Sequence, residues 1–454
     1  MTAATHNREV LIVGLGPTGL SVARHLGRKG IAFAVTDSRQ SPPGLADLQR
    51  EFPDVPCDLG SFKDDFFAPA TCLVVSPGVA VSTPQIKAAR ARGAEIVGDV
   101  ELFVREAQAP IVAITGSNGK SSVTKLVELM AHKAGLSCYA IGNIGRFVMD
   151  ILAEPVPDLY VMELSSFQLE TTCSLKTVSA TVLNVSEDHM DRYDGFADYA
   201  AAKAVIYRQC AHPVLNRDDA VVMAMADQPG FSGDSSAAAI TSFGLDAPAA
   251  GEFGIIEQGG KRYLAKGEHC LLATDEMRLP GQHNAANALA ALALGEAAGL
   301  AEAAMLEAIR EFSGLPHRTE WVRHLNGVDW FNDSKGTNVG ATVAALRGFP
   351  GKTVLIAGGL GKAADFSPLG SVIGDRARAV VLIGEDAELI ARVIPESVPH
   401  PRAVSMDEAV RIAAELAQPG DNVLLSPACA SFDMFANYMQ RGEMFADAVR
   451  RLPA

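Results

Sequence analysis

The chain has 454 residues, of which 48% are apolar and 20% are charged, and its formal net charge is −14. This length exceeds one ordinary hydrophobic core and predicts about three domains. The acidic balance, without any block of Lys and Arg, argues against a nucleic-acid-binding protein. The most apolar long run, 287–306, is rich in alanine and contains glutamates, so we expect a buried helix there and no membrane span.

The seven cysteines are odd in number, scattered along the chain and without a C-x-x-C motif. This usage favours reduced thiols over a disulfide framework or a zinc site, and it predicts a cytoplasmic protein. The N-terminus has no basic segment before its first apolar run, and that run breaks at glycine. We therefore expect a first β-strand there and no signal peptide.

Short runs of Val, Ile and Leu that end at glycine or polar residues alternate with helical patterns. Such runs are typical of parallel strands covered by helices on both faces. The glycine-rich stretch 242–269 has short alternating segments and predicts antiparallel strands. The runs form three groups, which predict α/β domains at 1–98, 99–314 and 315–454. The runs are EVLIVGLG, FAVTDS, CLVVSPG, PIVAITG, DLYVMELS, SATVLNVS, TVLIAGG, AVVLIGED and DNVLLSPA.

A first glycine loop lies between the first predicted strand and a helix. Gly14, Gly16 and Gly19 form the pattern G-x-G-x-x-G, and Asp37 ends the next predicted strand. The pattern is that of a dinucleotide site, in which N–H groups at a helix N-terminus face a diphosphate. A nucleotide sugar also carries a diphosphate, and glycines that serve only helix packing are a third interpretation. The residues alone leave these three open.

A second glycine loop follows a later strand. It departs from a strict Walker A motif because Ile114 stands where that motif has its first glycine. Gly116, Gly119, Lys120 and Ser121 keep the essential groups: N–H groups open to phosphate, an ammonium for the outer phosphates and a hydroxyl for Mg²⁺. The loop therefore predicts phosphate binding, in a kinase, a hydrolase or a ligase. The alternative is a surface turn whose lysine is solvated.

Further polar residues follow the next two predicted strands. Glu163 is a hard oxygen ligand suited to Mg²⁺, whereas His189 is a less usual ligand for that ion. Lys203, on a predicted helix, cannot bind a cation while it is protonated, and composition alone favours a solvated lysine. Asp188 and Asp191 are interpreted as helix caps.

Eight motifs occur in order along the chain: TGSNGKS, GNIG, ELSSFQLE, LNVSEDHMDRYD, GQHNAANALAAL, GLPHR, NDSKGTN and LLSPACASFDMF. Through them the chain resembles the Mur ligases over nearly its whole length. The resemblance implies a Rossmann-like N-terminal domain for a UDP-sugar and a central P-loop ATPase-like domain with a mostly parallel sheet. It also implies a C-terminal Rossmann-like domain that binds the incoming amino acid.

Within that family, SPGV…EIVGDVELF, ELSSFQLE and SPACAS point to one reaction. The resemblance implies ATP-dependent addition of D-glutamate to the L-alanine carboxylate of UDP-N-acetylmuramoyl-L-alanine through an acyl phosphate. This is a step of peptidoglycan precursor synthesis. Two Mg²⁺ sites, carbamylation of Lys203, small-molecule partners only and a monomer are expected with it. Because Arg318 opens the third domain yet matches an ATP contact, we also expect the domains to close on ligand binding.

The resemblance assigns roles to the matching positions of this sequence. The catalytic set is Lys120, Asn143, Glu163, His189 and Lys203. The metal set is Ser121, Glu163, His189 and carbamylated Lys203. The ATP set is Thr115, Gly116, Ser117, Asn118, Gly119, Lys120, Ser121, Asn284, Asn287, Arg318 and Asp333. The UDP-sugar set is Gly14, Gly16, Thr18, Asp37, Ser38, Arg39 and Gly78. The amino-acid set is Lys335, Thr337, Lys362, Ser431 and Phe432.

Three positions depart from the family pattern, and none of them lies in the phosphate loop or the metal set. Gly336 replaces an alanine, Leu360 replaces an acidic residue, and Tyr438 replaces a phenylalanine. Three rival interpretations remain. A nicotinamide-dependent oxidoreductase leaves the lysine loop unexplained. A sister Mur-type or folylpolyglutamate-type ligase would take another amino acid or acceptor. A catalytically dead nucleotide-binding module conflicts with the intact catalytic set.

Overall fold

The computed structural model describes residues 9–231, 240–279, 281–349 and 351–453. Residues 1–8, which open the predicted N-terminal domain, lie outside the described part. Three β-sheets with helices on their faces organise the described residues, and their strands follow one another along the chain without intermixing. Every apolar run that was predicted as a strand forms one, which confirms the α/β class.

The N-terminal sheet is parallel throughout, with the strand order β3-β2-β1-β4-β5. Its first turn depends on glycine, because Gly14 has a φ of 97° and a side chain at Gly19 would overlap the Gly14 carbonyl oxygen. The following helix therefore starts close against the strand. The strands are β1 (Val10–Val13), β2 (Phe33–Asp37), β3 (Cys57–Leu59), β4 (Cys72–Val75) and β5 (Glu95–Val97). The helices are α1 (Pro17–Arg28), α2 (Leu45–Glu51), α3 (Asp64–Phe67), α4 (Pro84–Ala91) and α5 (Asp99–Val104).

The central sheet has nine strands in the order β14-β13-β12-β11-β10-β9-β6-β8-β7. In this sheet β12 pairs antiparallel with β13, and β13 pairs antiparallel with β14, as the pattern of residues 242–269 predicts. Strand β11 pairs in parallel, so the antiparallel prediction is wrong at the start of that stretch. The strands are β6 (Ile111–Thr115), β7 (Cys138–Gly142), β8 (Leu159–Glu163), β9 (Thr177–Val182), β10 (Cys210–Asn216), β11 (Thr241–Phe243), β12 (Phe253–Gln258), β13 (Lys261–Lys266) and β14 (His269–Ala273).

The central helices pack on both faces of this sheet. They are α6 (Lys120–Lys133), α7 (Val148–Ile151), α8 (Ser166–Leu169), α9 (Phe196–Ala204), α10 (Ala220–Ala224), α11 (Gln282–Ala297) and α12 (Glu302–Glu311), with 3₁₀ turns at Val205–Tyr207, Met225–Asp227 and Thr274–Glu276. The apolar run 287–306 is thus divided between two helices, because Gly299 has a φ of 80° that a right-handed helix cannot contain. In the part of the chain that the structure describes, no helix has the length and apolarity needed to cross a membrane.

The C-terminal sheet has the order β15-β16-β19-β17-β18 and is parallel except for the edge pair β15–β16. Two apolar clusters, one on each face, form its core. The strands are β15 (Glu320–Leu325), β16 (Val328–Asn332), β17 (Thr353–Gly358), β18 (Ala377–Ile383) and β19 (Asn422–Leu425). The helices are α13 (Val339–Gly348), α14 (Ser367–Arg376), α15 (Ala387–Ala391), α16 (Met406–Leu416) and α17 (Tyr438–Arg451).

The buried carboxylate of Glu101 connects helix α5 to the loop at 173–174 in the central unit. Glu101 on α5 is fully buried and accepts hydrogen bonds from the backbone N–H groups of Cys173 and Ser174, at 2.7 and 3.0 Å. Arg105 Nε also donates to it, at 2.9 Å. Burial alone would raise the pKa of Glu101, but these hydrogen bonds outweigh burial and hold the pKa below its ordinary value.

We expect Glu101→Ala to lower the free energy of unfolding by about 3 kcal/mol, because two backbone N–H groups, the Ser174 hydroxyl and an arginine lose a charged acceptor. Since the folded-state pKa is depressed, the loss should be full above the unfolded-state pKa of about 4.3 and should shrink as the pH falls below it. Thermal unfolding at several pH values measures both effects. Glu95→Ala, which removes the exposed partner of the same Arg105, is the matched control. Equal losses in the two variants would contradict this assignment.

Candidate active site

Two cavities meet at the turn between β6 and α6. The central cavity, of about 380 Å³, is lined from all three sheets, by Gly78 of the first, Lys120 and Glu163 of the second, and Lys335 and Ser431 of the third. The adjoining cavity, of about 570 Å³, lies between the central and C-terminal sheets. Four residues line both cavities: Asn118, Gly119, Arg318 and Lys335. Whatever binds at this turn is therefore accessible from both sides.

The turn has the strand–loop–helix geometry that a phosphate loop requires. Strand β6 ends at Thr115, and helix α6 begins at Lys120. Gly116 and Gly119 have φ values of 147° and 83°, which side chains rarely adopt. A side chain at Gly119 would also come within 2.6 Å of the Asn287 side-chain oxygen. The glycines thus keep the helix N-terminus open to an anion.

Lys120 folds back over this loop. Its Nζ donates to the carbonyl oxygens of Gly116 and Ser117, at 2.6 and 2.9 Å. Burial lowers the pKa of Lys120, and the nearby Glu163 carboxylate acts in the opposite direction. The ammonium therefore lies over the part of the loop that the motif assigns to phosphate.

Lys203 lies beside it and is not solvated. The residue is 1% exposed, and its Nζ donates to the same Gly116 carbonyl oxygen at 3.0 Å while lying 4.5 Å from the centre of the Tyr199 ring. Burial lowers the pKa of Lys203 well below its usual value, and the charge on Lys120 adds to that effect. The interpretation from composition alone is wrong, because the fold places this helix position in the site.

Glu163 ends strand β8 and faces the cavity from the central sheet. Its Oε1 accepts a hydrogen bond from Asn143 Nδ2 at 2.8 Å, and its backbone carbonyl accepts one from the Asn143 N–H at 2.8 Å. Its Oε2 is buried and has no hydrogen-bond partner among the described residues. A buried carboxylate oxygen without a partner fits a cation or its water ligand.

His189 and Asp188 also line the central cavity. The His189 ring packs edge-on against Phe167, at 4.9 Å between centroids, and burial lowers its pKa so that the imidazole is neutral at neutral pH. Asp188 Oδ1 lies 3.4 Å from Lys362 Nζ. The helix-cap interpretation of Asp188 and Asp191 is wrong, because the N-cap of α9 is Gly195.

The predicted metal set shares this cavity except for Ser121, which lies at the start of α6 and accepts a hydrogen bond from Arg318. Among the described residues, no group of three or more His, Cys, Asp and Glu side chains is close enough to hold a metal ion. A Mg²⁺ ion bound here would therefore have to draw on other oxygens, such as a hydroxyl, phosphate oxygens, water and any carbamate on Lys203. The orphan oxygen of Glu163 and the neutral His189 ring fit such a mixed site.

The C-terminal sheet contributes directly to the phosphate loop. Arg318 Nη2 donates to Ser121 Oγ at 2.7 Å. Asn338, the N-cap of α13, donates from Nδ2 to Asn118 Oδ1 at 3.1 Å. These contacts hold the C-terminal sheet against the loop. Sequence reasoning did not assign Asn338, although it stands in the NDSKGTN motif beside assigned residues.

The adjoining cavity holds the remaining predicted ATP residues. Asn284, Asn287 and Asp333 all line it. Asp333 accepts hydrogen bonds from the Thr319 N–H at 3.1 Å and from Ser426 Oγ at 2.7 Å. Burial raises the pKa of Asp333 to about 6. A carboxylate so placed can accept a further hydrogen bond from a hydroxyl group.

The predicted amino-acid residues line the central cavity together. Lys335 Nζ lies 4.0 Å from the centre of the Tyr438 ring, and burial lowers the pKa of Lys335 to about 8. The others lining that side are Thr337, Lys362, Ser431 and Phe432. Two lysines and two hydroxyl groups in one pocket suit a small ligand that carries carboxylates.

The first glycine loop lies apart from the two cavities. Asp37 accepts hydrogen bonds from the Leu15 N–H at 2.7 Å and from Arg39 Nη2 at 2.7 Å. Among the predicted UDP-sugar residues, all of which the structure describes, Gly78 alone lines the central cavity. The other six lie near the carboxyl ends of β1 and β2: Gly14 and Gly16 in the turn after β1, Thr18 in the first turn of α1, Asp37 at the end of β2, and Ser38 and Arg39 directly after it.

Arg192 links that N-terminal unit to the central cavity. Its guanidinium donates to the carbonyl oxygens of Pro77 and Val79, at 3.3 and 2.8 Å, and stacks 4.3 Å from the centre of the Phe167 ring. The loop that carries Gly78 is thereby fixed to the central sheet. Sequence reasoning missed this role, and only its position inside the quoted DHMDRYD motif could have indicated it.

Family models match three successive stretches of the chain. They are described as the Mur ligase MurD-like N-terminal domain at 8–98, the Mur ligase middle domain at 114–295 and the Mur ligase glutamate ligase domain at 317–429. The chain belongs to the Mur ligase family. Its site combines a phosphate loop with pockets on either side, which is the arrangement expected of an ATP-using ligase.

Two relatives that match nearly the whole chain bear the same enzyme name. UDP-N-acetylmuramoylalanine–D-glutamate ligase of Nitrosococcus oceani is 55% identical over 97% of this chain and 96% of the relative. The enzyme of the same name from Pseudomonas syringae pv. tomato is 50% identical over the full length of both. The crystal structure of MurF from Acinetobacter baumannii shares the fold, with a TM-score of 0.63 and 16% identity over 99% of this chain and 93% of that one.

We expect Arg192→Ala to release the loop at 76–80, because two backbone carbonyl groups lose their donor. Hydrogen exchange followed by mass spectrometry should show faster exchange in peptides that cover this loop. Arg208→Ala, at an exposed arginine of the same unit, is the control and should leave the exchange unchanged. Unchanged exchange in Arg192→Ala would contradict the linking role.

Proposed function

We propose that this chain is an ATP-dependent ligase that joins D-glutamate to the L-alanine carboxylate of UDP-N-acetylmuramoyl-L-alanine, in the synthesis of peptidoglycan precursors. The observation that carries the proposal is the central cavity, which the phosphate loop lines together with Gly78 of the first unit and Lys335 of the third. Full-length relatives at 50–55% identity bear the name of this activity. A single cavity bordered by three units suits a reaction of three substrates.

Each unit takes one substrate in this proposal. Residues 1–98 bind the UDP-sugar, 99–314 bind ATP and 315–454 bind glutamate. Support comes from where each predicted set lies: the ATP set at the loop and the adjoining cavity, and the amino-acid set in the central cavity. The UDP-sugar set supplies Gly78 to the cavity, so the acyl end of that substrate enters from there while its nucleotide stays at the first glycine loop.

The chemistry proceeds in two steps. A carboxylate is a poor acyl donor, so its oxygen first attacks the γ-phosphorus of ATP, and ADP leaves. The ammonium group of glutamate first loses a proton, and the free amine then attacks the acyl carbon. The C–O bond to phosphate breaks, phosphate leaves, and the nitrogen loses a second proton to give the amide. Both reacting groups of the first step are anionic, so the barrier is largely electrostatic. Lys120 and Arg318 supply positive charge where it is needed.

Two Mg²⁺ ions would complete the proposed site, and Ser121, Glu163, His189 and carbamylated Lys203 would hold them. Bound Mg²⁺ neutralises phosphate charge. Lys203 serves as a ligand only after carbamylation, for which a buried amine with a lowered pKa is suited because only the unprotonated form adds to CO₂. Carbamylation would also replace a cation beside Lys120 with an anion and so relieve the repulsion between them.

The contacts of Arg318 with Ser121 and of Asn338 with Asn118 support domain closure during turnover. Closure protects an acyl phosphate from water. The seven cysteines are all free, which is in keeping with a reducing, cytoplasmic location. We further propose a monomer that takes small-molecule substrates and binds neither nucleic acid nor membrane.

The function is tested by mixing the purified chain with ATP, Mg²⁺, UDP-N-acetylmuramoyl-L-alanine and either D- or L-glutamate. Phosphate release should require all components and proceed with D-glutamate only. Release with L-glutamate, with another amino acid in preference, or without any amino acid would contradict the proposal.

We expect Lys203→Ala to lower kcat by at least about 100-fold, because the site loses a ligand for charge-neutralising Mg²⁺. Short carboxylates such as acetate and formate should restore part of the activity by filling the space of the carbamate. Lys176→Ala, at an exposed lysine of the same unit, is the control and should remain fully active. A fully active Lys203→Ala variant would refute the metal role.

The binding of D-glutamate should depend on pH through Lys335. Because burial lowers its pKa to about 8, the ammonium is charged below that pH and loses its charge as the pH rises through it. We therefore expect the KM for D-glutamate to be level below about pH 8 and to rise above it. In Lys335→Arg the side chain stays charged, so the rise should move to higher pH. Identical pH profiles for the two proteins would exclude this role for Lys335.

A further inference from the structure

Arg441 is an unusual buried arginine in the C-terminal unit. It lies on α17, is 0% exposed, and forms no ion pair with a carboxylate anywhere in the described ranges. Its guanidinium instead donates to Ser334 Oγ from Nε at 3.0 Å, to the Ser334 carbonyl from Nη2 at 2.8 Å and to the Cys429 carbonyl from Nη1 at 3.1 Å. Burial lowers the pKa of Arg441 to about 10. Burying a charge without a counter-ion is costly, so a specific arrangement must depend on it.

The three segments that meet at Arg441 are those that build one wall of the central cavity. Ser334 immediately precedes Lys335, and Cys429 lies two residues before Ser431. Helix α17 begins with Tyr438, whose ring covers Lys335, and the Tyr438 carbonyl accepts a hydrogen bond from Ser334 Oγ at 2.8 Å. One guanidinium thus fixes the relative positions of all three segments.

Arg441 itself does not line either cavity, so it has no direct contact with a ligand there. We infer that Arg441 is a positioning residue, which sets the spacing between Lys335, Ser431 and Tyr438 and thereby the fit of the incoming amino acid. This inference rests on the proposed function. The planar fork of arginine reaches two carbonyl groups and a hydroxyl at once, which the single nitrogen of lysine cannot do.

The test compares three variants by steady-state phosphate release, with each substrate varied in turn. In Arg441→Lys the KM for D-glutamate should rise by about tenfold or more, while the KM values for ATP and the sugar nucleotide stay within about twofold. Ser334→Ala removes the hydroxyl that links Arg441 to Tyr438, and it should raise the same KM by a smaller factor.

Arg323→Lys is the matched control. Arg323 lies in the same unit and donates to the carbonyl oxygens of Val449, Arg450 and Leu452, away from the cavity. It should leave all three KM values unchanged.

Two results would overturn the inference. One is a KM for D-glutamate within twofold of the wild type in Ser334→Ala or in a folded Arg441→Lys. The other is a parallel change in all three KM values, which indicates a general structural role. Thermal unfolding establishes whether Arg441→Lys is folded. If it is not, the KM of Ser334→Ala for D-glutamate alone tests the inference. Failure of the proposed function is distinct, because the wild-type chain itself would then release no phosphate with D-glutamate.

Discussion

The carbonyl oxygen of Gly116 accepts hydrogen bonds from Lys120 and from Lys203, and the site depends on how the charge of these two side chains is balanced. Two ammonium groups on one buried oxygen repel each other. Burial lowers the pKa of both lysines, and the charge of Lys120 lowers the pKa of Lys203 further. An anionic phosphate over the loop relieves that repulsion, and so does a change of charge on Lys203. The architecture is therefore suited to a ligand with several negative charges.

The rest of the molecule brings other groups to this point. Strand β8 ends at Glu163, whose buried oxygen has no partner within the described residues, and α13 begins beside Asn118. Arg192 and Arg318 join the outer units to the central one through contacts at the cavity. Because each unit supplies a wall and none supplies a whole pocket, the relative positions of the units are part of the active site.

The lysine loop stood out for its glycines. Sequence reasoning predicted nine strands correctly from their apolar runs, because buried parallel strands are uninterrupted apolar runs, but it missed short strands such as β3 and β5. It did not predict what depends on tertiary contacts. Lys203 has the sequence context of a solvated helix residue, yet the fold buries it against Tyr199. Asp188 is of a residue type that often caps helices, yet its carboxylate lies 3.4 Å from the ammonium group of Lys362 in the C-terminal unit. The division at 98 and 314 and the roles of individual site residues remain proposals.

The central claim is that the outermost phosphoryl group of ATP moves onto the substrate carboxylate at the Gly116–Lys120 loop. The most direct measurement uses sugar nucleotide whose alanyl carboxylate is labelled with ¹⁸O, and mass spectrometry of the phosphate that is released. Our account predicts that each phosphate carries one labelled oxygen, because the bond that breaks last lies between carbon and that oxygen. Release of unlabelled phosphate alongside amide formation would contradict it.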